Sequence, residues 1–229
     1  MHRMLVFDLD GTLCPAGKAM DFQQITKLRM LESTGHTIII CSGKPIYYLC
    51  GFVRQIGLRA PVLIGENGAM LQFGIDLPPS NGQYLPCSDR AMAQLNTIKT
   101  EIERRCAKNV WVQPGEIQLT PFFYNAETER AIEELLYNGN LETDEINIYH
   151  QADCFDLIPK TISKAQALIL LSNMTGSKQQ DFAAVGDGIN DIPMFEFCDR
   201  AFILGDMEYP KGTRCQTLDA VLELLLNEG

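Results

Sequence analysis

Two textures of apolar residue alternate along the chain. Met4-Leu5-Val6-Phe7, Thr37-Ile38-Ile39-Ile40-Cys41 and Phe182-Ala183-Ala184-Val185 are short continuous runs, the pattern of strands buried on both faces of a parallel sheet. After the first two of these runs the apolar residues recur every three or four positions. Phe22, Ile25, Leu28 and Leu31 follow an Asp21 N-cap and stop at Gly35; Tyr48, Leu49, Phe52, Val53 and Ile56 follow Pro45 and stop at Gly57. Strand, helix and strand in this order form βαβ units, which cross over right-handedly. A third strand over 61–65 leads into Glu66-Asn67-Gly68-Ala69, where Asn-Gly between apolar runs predicts a hairpin. The same texture resumes with a helix near Lys164 (Leu168, Leu171, Met174), the 182–186 strand, a helix through Ile192, Met194 and Phe195, a strand over 201–204, and a last helix through Leu218, Val221, Leu222 and Leu225.

The middle of the chain reads differently. Pro78, Pro79, Ser80, Asn81, Gly82 and Pro86 mark a linker, followed by a helix over about 88–106 with Ala91, Leu95, Ile98 and Ile102 on one stripe. Residues 110–124 alternate through Ile117, Leu119 and Phe123 around Pro114-Gly115; a helix over 126–137 and strands at 146–148 and 154–158 complete the segment. Alternating strands predict a sheet with one open face and helices on the other. The fold expected is α/β: a doubly wound, Rossmann-like parallel sheet core built from 1–80 and 160–229, with a small α+β domain inserted at 81–159.

Chemistry enters where two apolar runs end in acids. The first is followed by Asp8-Leu9-Asp10-Gly11-Thr12, the later one by Gly186-Asp187-Gly188-Ile189-Asn190-Asp191. In an extended strand, residues two apart share a face, so Asp8 and Asp10 are expected side by side, with Gly11 turning the backbone. Open α/β sheets bind ligands outside the carboxyl ends of their strands, where Asp8, Asp10, Asp187 and Asp191 would meet. Such carboxylates cannot all stay ionised without a counter-charge. With no His or Cys nearby, an all-oxygen site suits a hard dication, Mg²⁺, which would also let a phosphate ester approach. Lys164 at a helix start and the Ser42-Gly43 loop are the candidates to complete an anion site.

Composition narrows the partners. A formal net charge of −10 over 229 residues disfavours nucleic acid. No apolar run reaches membrane-spanning length and the start leads straight into a strand, so a cytoplasmic protein is expected, as a monomer or homodimer. Eight irregularly spaced cysteines without a C-x-x-C pair argue against a zinc site or disulfide framework and for buried thiols, Cys41 above all. His2, His36 and His150 are scattered and read as exposed or satisfied, and Trp111 as a packing residue. No G-x-S-x-G elbow occurs; Gly11 to Gly17-Lys18 fails as a P-loop because five residues intervene and Ala19 follows the lysine.

The pairing of Asp8-Leu9-Asp10-Gly11-Thr12 with Gly186-Asp187-Gly188-Ile189-Asn190-Asp191 resembles the haloacid-dehalogenase-like phosphohydrolases, and within them the Cof-type branch with an inserted C2B-type cap. Ile64-Gly65-Glu66-Asn67-Gly68-Ala69 is similar to the segment that precedes that cap. The resemblance implies Asp8 as nucleophile through an aspartyl-phosphate and Asp10 as general acid and then base, its carbonyl also on Mg²⁺. It implies Ser42 and Asn190 on the phosphoryl group, Lys164 as the third motif's lysine with Lys160 the competitor, and Asp187 and Asp191 as metal-site acids. The implied activity is a phosphatase for a small phosphate ester, phosphoglycolate-like or a sugar phosphate. Alternatives are a phosphotransferase or mutase, and a non-catalytic phosphate-binding regulatory module. Two departures stand out: Lys44 where many relatives carry arginine, and 203–207 without the usual asparagine-alanine pair.

Overall fold

A computed structural model of the chain describes residues 3–15, 18–79, 81–139 and 141–228. His2, Gly17 and Ser80, named above, lie outside the described residues. In chain order the first elements are β1 (Met4–Phe7), α1 (Phe22–Ser33), β2 (Thr37–Cys41), α2 (Ile46–Ile56), β3 (Val62–Gly65), β4 (Met70–Phe73) and β5 (Gly82–Tyr84). Next come α3 (Asp89–Cys106), β6 (Val110–Gln113), β7 (Thr120–Phe123), α4 (Ala126–Tyr137), β8 (Ile146–His150) and β9 (Phe155–Pro159). The last are α5 (Lys164–Thr175), β10 (Phe182–Gly186), α6 (Ile192–Phe197), β11 (Arg200–Leu204), β12 (Thr213–Cys215) and α7 (Leu218–Asn227).

The chain divides into two compact units, Met1–Leu85 with Lys164–Gly229, and Pro86–Ser163. Both crossings lie a few residues later than the expected 80/81 and 159/160. The first does so because β5 pairs with β4 and the Leu85 N–H donates to the Ala69 carbonyl, which keeps 82–85 in the first unit. At the second, the Lys160 N–H donates to the Glu145 carbonyl and the Thr161 hydroxyl to the Pro86 carbonyl, which ties 160–161 to the second.

The first unit is a mostly parallel α/β sheet in the order β12-β11-β10-β1-β2-β3-β4-β5, parallel from β12 to β3 and antiparallel at β4 and β5. Leu5, Phe7, Ile38, Ile40 and Val185 pack on one side with Leu28 and Leu31 of α1, Leu49 and Val53 of α2, and Val221 and Leu222 of α7. Val6, Ile39 and Ala184 fall one residue out of phase and are equally buried on the other face, which is why these strands read as unbroken apolar runs. Local signals set the helix ends: the Asp21 carboxylate accepts from the Gln23 N–H, and Gly57 closes α2 at a φ of 74°.

In the second unit, β6–β7 and β8–β9 are antiparallel hairpins joined by antiparallel bridges at Leu119–Leu157 and Phe122–Cys154. Ile98 and Ile102 of α3 and Ile132 and Leu135 of α4 pack with Leu119, Phe155 and Leu157. Asp156, one residue out of phase, instead accepts from the Gln118 amide (2.6 Å) and the Thr120 hydroxyl (2.8 Å).

Several side-chain expectations can be placed. His36 is buried and its Nδ1 accepts from the Arg3 N–H, while His150 stacks on Phe155 and pairs with Glu129. Trp111, expected as a packing residue, tilts against Phe122 at 5.4 Å but is otherwise exposed on β6. Cys41, Cys50, Cys106, Cys154, Cys198 and Cys215 are buried thiols. No helix among the described residues is long and apolar enough to cross a membrane.

Candidate functional site

Register brings the two acidic loops together. β1 lies between β10 and β2, with Phe7 opposite both Val185 and Ile40, so the three strands run out side by side. The Asp8 N–H continues the ladder by donating to the Val185 carbonyl at 2.9 Å. Asp8, Asp187 and Asp191 each offer a carboxylate oxygen, and these atoms lie within 4.8 Å of one another.

A single ammonium sits among them. Lys164, the first residue of α5 and 1% exposed, donates from Nζ to Asp8 Oδ1 (2.6 Å) and to Asp191 Oδ1 (2.5 Å). Asp191 Oδ2 accepts the N–H groups of Asp187 and Gly188, both at 3.0 Å, so Asp191 ties the loop after β10 to the lysine. Asp187 Oδ1 accepts from the Thr12 hydroxyl at 2.5 Å, across 175 residues of sequence. Gly11 completes the approach: it has a φ of +87°, and a Cβ there would collide with the Asp187 carboxylate.

Three carboxylates around one ammonium leave an excess of negative charge. Burial raises the Asp8 carboxyl, and although Lys164 opposes this, Asp191 and Asp187 add to it; the result is about 8. Asp187 is raised by burial and by Asp191, against the Thr12 hydrogen bond. Burial works against the charge on Lys164, but Asp191 and Asp8 outweigh it and hold the ammonium well above the ordinary lysine range. Beneath them, burial pushes the Cys41 thiol up to about 12, which keeps it a neutral filler. The donor set is all oxygen and carries more negative charge than Lys164 neutralises, which fits a hard dication such as Mg²⁺.

Other expected site residues occupy different surroundings. Asp10 does not stand beside Asp8 on one strand face. β1 stops at Phe7 and the chain turns, with the Cys14 N–H on the Leu9 carbonyl and the Gly11 N–H on the Cys14 carbonyl. Asp8 is 5% exposed, whereas the Asp10 side chain is 48% exposed and pairs with Lys44 at 3.4 Å. Ser42 is buried just beyond β2; its hydroxyl accepts from the Lys44 N–H, and Gly43 beside it is half-buried. Asn190 is half-buried in the turn before α6. Lys164 rather than Lys160 reaches Asp8, since Lys160 is exposed in the second unit. Two residues were not singled out by sequence as part of the site: Thr12, although it lies within the first motif, and Lys44, visible there only as a departure from arginine.

The model of the haloacid dehalogenase-like hydrolases matches residues 5–108 and 107–209. A phosphoglycolate phosphatase of Methanopyrus kandleri is 26% identical over 201 residues, 86% of this chain and 81% of its own length. Among solved structures, a haloacid dehalogenase-like hydrolase from Bacteroides thetaiotaomicron aligns over the whole of both chains with a TM-score of 0.78 at 17% identity. A sugar phosphatase of HAD subclass IIB covers 99% of each chain, with a TM-score of 0.70 at 18% identity. The matched stretch includes β1 from Leu5, the Ser42 loop, Lys164 and the carboxylates after β10, and on that extent the chain belongs to the haloacid dehalogenase-like hydrolases.

Proposed function

We propose that this hydrolase is a Mg²⁺-dependent phosphatase that cleaves a small phosphorylated metabolite, a sugar phosphate or a phosphoglycolate-like ester, through an aspartyl-phosphate on Asp8. The observation that carries the reading is the buried Lys164 ammonium held between Asp8 and Asp191, with Asp187 alongside. A carboxylate fixed in this way is an oriented nucleophile, and the ammonium can follow the charge that develops on phosphoryl oxygens.

An Asp8 oxygen attacks phosphorus, forming the acyl-phosphate bond as the phosphorus–oxygen bond to the alcohol breaks. The Asp10 carboxyl gives its proton to the departing oxygen. Asp10, now a carboxylate, takes a proton from water as the water oxygen attacks the same phosphorus, releasing Asp8 and inorganic phosphate. The Ser42 hydroxyl, the Gly43 N–H and the Asn190 amide are donors for the phosphoryl oxygens. Asp8 and Asp187 would hold Mg²⁺, with the Asp10 carbonyl as a further oxygen; Asp191, whose two oxygens are hydrogen-bonded, would contribute charge and hold the loop. When bound, the ion supplies positive charge that draws the phosphate ester into an otherwise repulsive site. The unit at Pro86–Ser163 is proposed as the cap that sets specificity.

Phosphate release from a panel of phosphorylated metabolites tests this, with wild type, chelator-treated wild type and Asp8→Asn. Release that needs Mg²⁺ and the Asp8 carboxylate supports it. Equal turnover by Asp8→Asn sinks it.

A further inference from the structure

Lys44 is the charged side chain near the site that the chemistry above leaves without a task. Its Nζ lies 3.4 Å from Asp10 Oδ2. Among the described residues Lys44 is the one hydrogen-bonding or ion-pairing partner of the Asp10 carboxylate, which otherwise projects half-exposed from the turn after β1. Such a side chain has several rotamers open to it, and a proton donor works only in the one that reaches the departing oxygen.

The backbone that presents Lys44 is unusually constrained. The Lys44 N–H donates to the Ser42 hydroxyl (3.2 Å), while the Lys44 and Ser42 carbonyls accept from the Glu66 and Asn67 N–H groups at 3.0 and 2.9 Å. Glu66 and Asn67 are both buried and both at positive φ, 50° and 53°. Two consecutive non-glycine residues in the left-handed region carry strain that the surrounding structure has to hold in place. Here the strained turn aims two successive amides at the Ser42–Lys44 loop, and Pro45 then starts α2. A Cβ on Gly65 would also meet the Lys44 carbonyl at 3.0 Å, so the loop lies close against the end of β3.

We infer that Lys44 is a positioning residue for proton transfer: held by the Glu66–Asn67 turn, it fixes Asp10 Oδ2 and leaves Oδ1 to deliver the proton to the leaving alcohol. The inference rests on the phosphatase reading and gives Lys44 a role separable from phosphate binding. An alkoxide leaves poorly without a proton, whereas nitrophenolate leaves readily without one. The value of kcat/KM covers steps only through the first irreversible phosphoryl transfer, so it isolates the departure of the alcohol from the later attack of water.

The test compares kcat/KM for an alkyl phosphate (glycerol phosphate or a hexose phosphate) and for p-nitrophenyl phosphate in wild type, Lys44→Met and Lys44→Arg. The expected result is a loss for the alkyl ester in Lys44→Met at least tenfold larger than for the nitrophenyl ester, with Lys44→Arg recovering most of it. Equal losses for both esters would make Lys44 a phosphate-binding residue and overturn the inference, as would no loss at all. Misfolding would also lower both equally, so a thermal melt of each variant accompanies the kinetics. Wild type inactive on both esters with Mg²⁺ would instead bring down the phosphatase reading, a result distinct from equal losses.

Discussion

Lys164 Nζ lies 2.6 Å from Asp8 Oδ1, joining the first residue of α5 to the end of β1 across 156 positions of sequence. The same ammonium bridges to Asp191, so three elements of the first unit meet on one charge. Lys164→Met keeps most of the buried stem and removes the charge, leaving two buried carboxylates uncompensated. Breaking a buried pair in this way costs about 3–5 kcal/mol. Denaturant unfolding should show a midpoint lowered accordingly, and an unchanged midpoint would mean the carboxylates are neutralised without the lysine.

Asp8→Asn should lower phosphate release by about 10³-fold or more, the scale on which loss of a nucleophile is felt. The fold should survive, because asparagine keeps the shape and can still meet the Lys164 side. Mass spectrometry of acid-quenched enzyme should find an added phosphoryl group in wild type and none in the variant.

The raised Asp8 carboxyl makes stability depend on pH. Its folded value, about 8, lies above the ordinary 3.8, so the folded state binds the proton more tightly. The contribution is therefore fully present below about pH 4 and is lost as pH rises through 8. Melting temperatures of metal-free protein should carry this downward component between those limits, and adding Mg²⁺ at pH 8 should restore stability. Asp8→Asn should flatten the pH component. A metal-free melting temperature that rises through the same range in wild type relative to Asp8→Asn would contradict the assignment.

Gly11→Ala adds a methyl group at a φ of +87° and against the Asp187 carboxylate. The backbone alone costs about 1–2 kcal/mol. Because the collision also moves Asp187, activity should fall further than stability does, and a thermal melt beside a rate measurement separates the two.

Much of this was legible because both faces of the central strands are buried. Continuous apolar runs ending in Asp8 and Asp187 mark where parallel strands expose their carboxyl ends. The remainder lies in features that are partly local and partly long-range. Strand alternation does not extend to Asp10, since β1 ends at Phe7 and Asp10 sits beyond a turn. β5 carries Gly-Gln-Tyr with little burial and joins the sheet through its backbone, so it read as linker. The Thr12–Asp187 hydrogen bond depends on a register between β1 and β10 that no local pattern encodes.

The point of re-entry has its own implication. The chain leaves the first unit after Leu85 and returns at Lys164, so the returning peptide bond is attached directly to the residue that holds Asp8 and Asp191. The two junctions are therefore unequal for anyone grafting a different insert. Extra residues beside Pro86 adjoin an edge strand, whereas a change at Ser163 alters how the backbone enters α5 and thereby swings the ammonium itself.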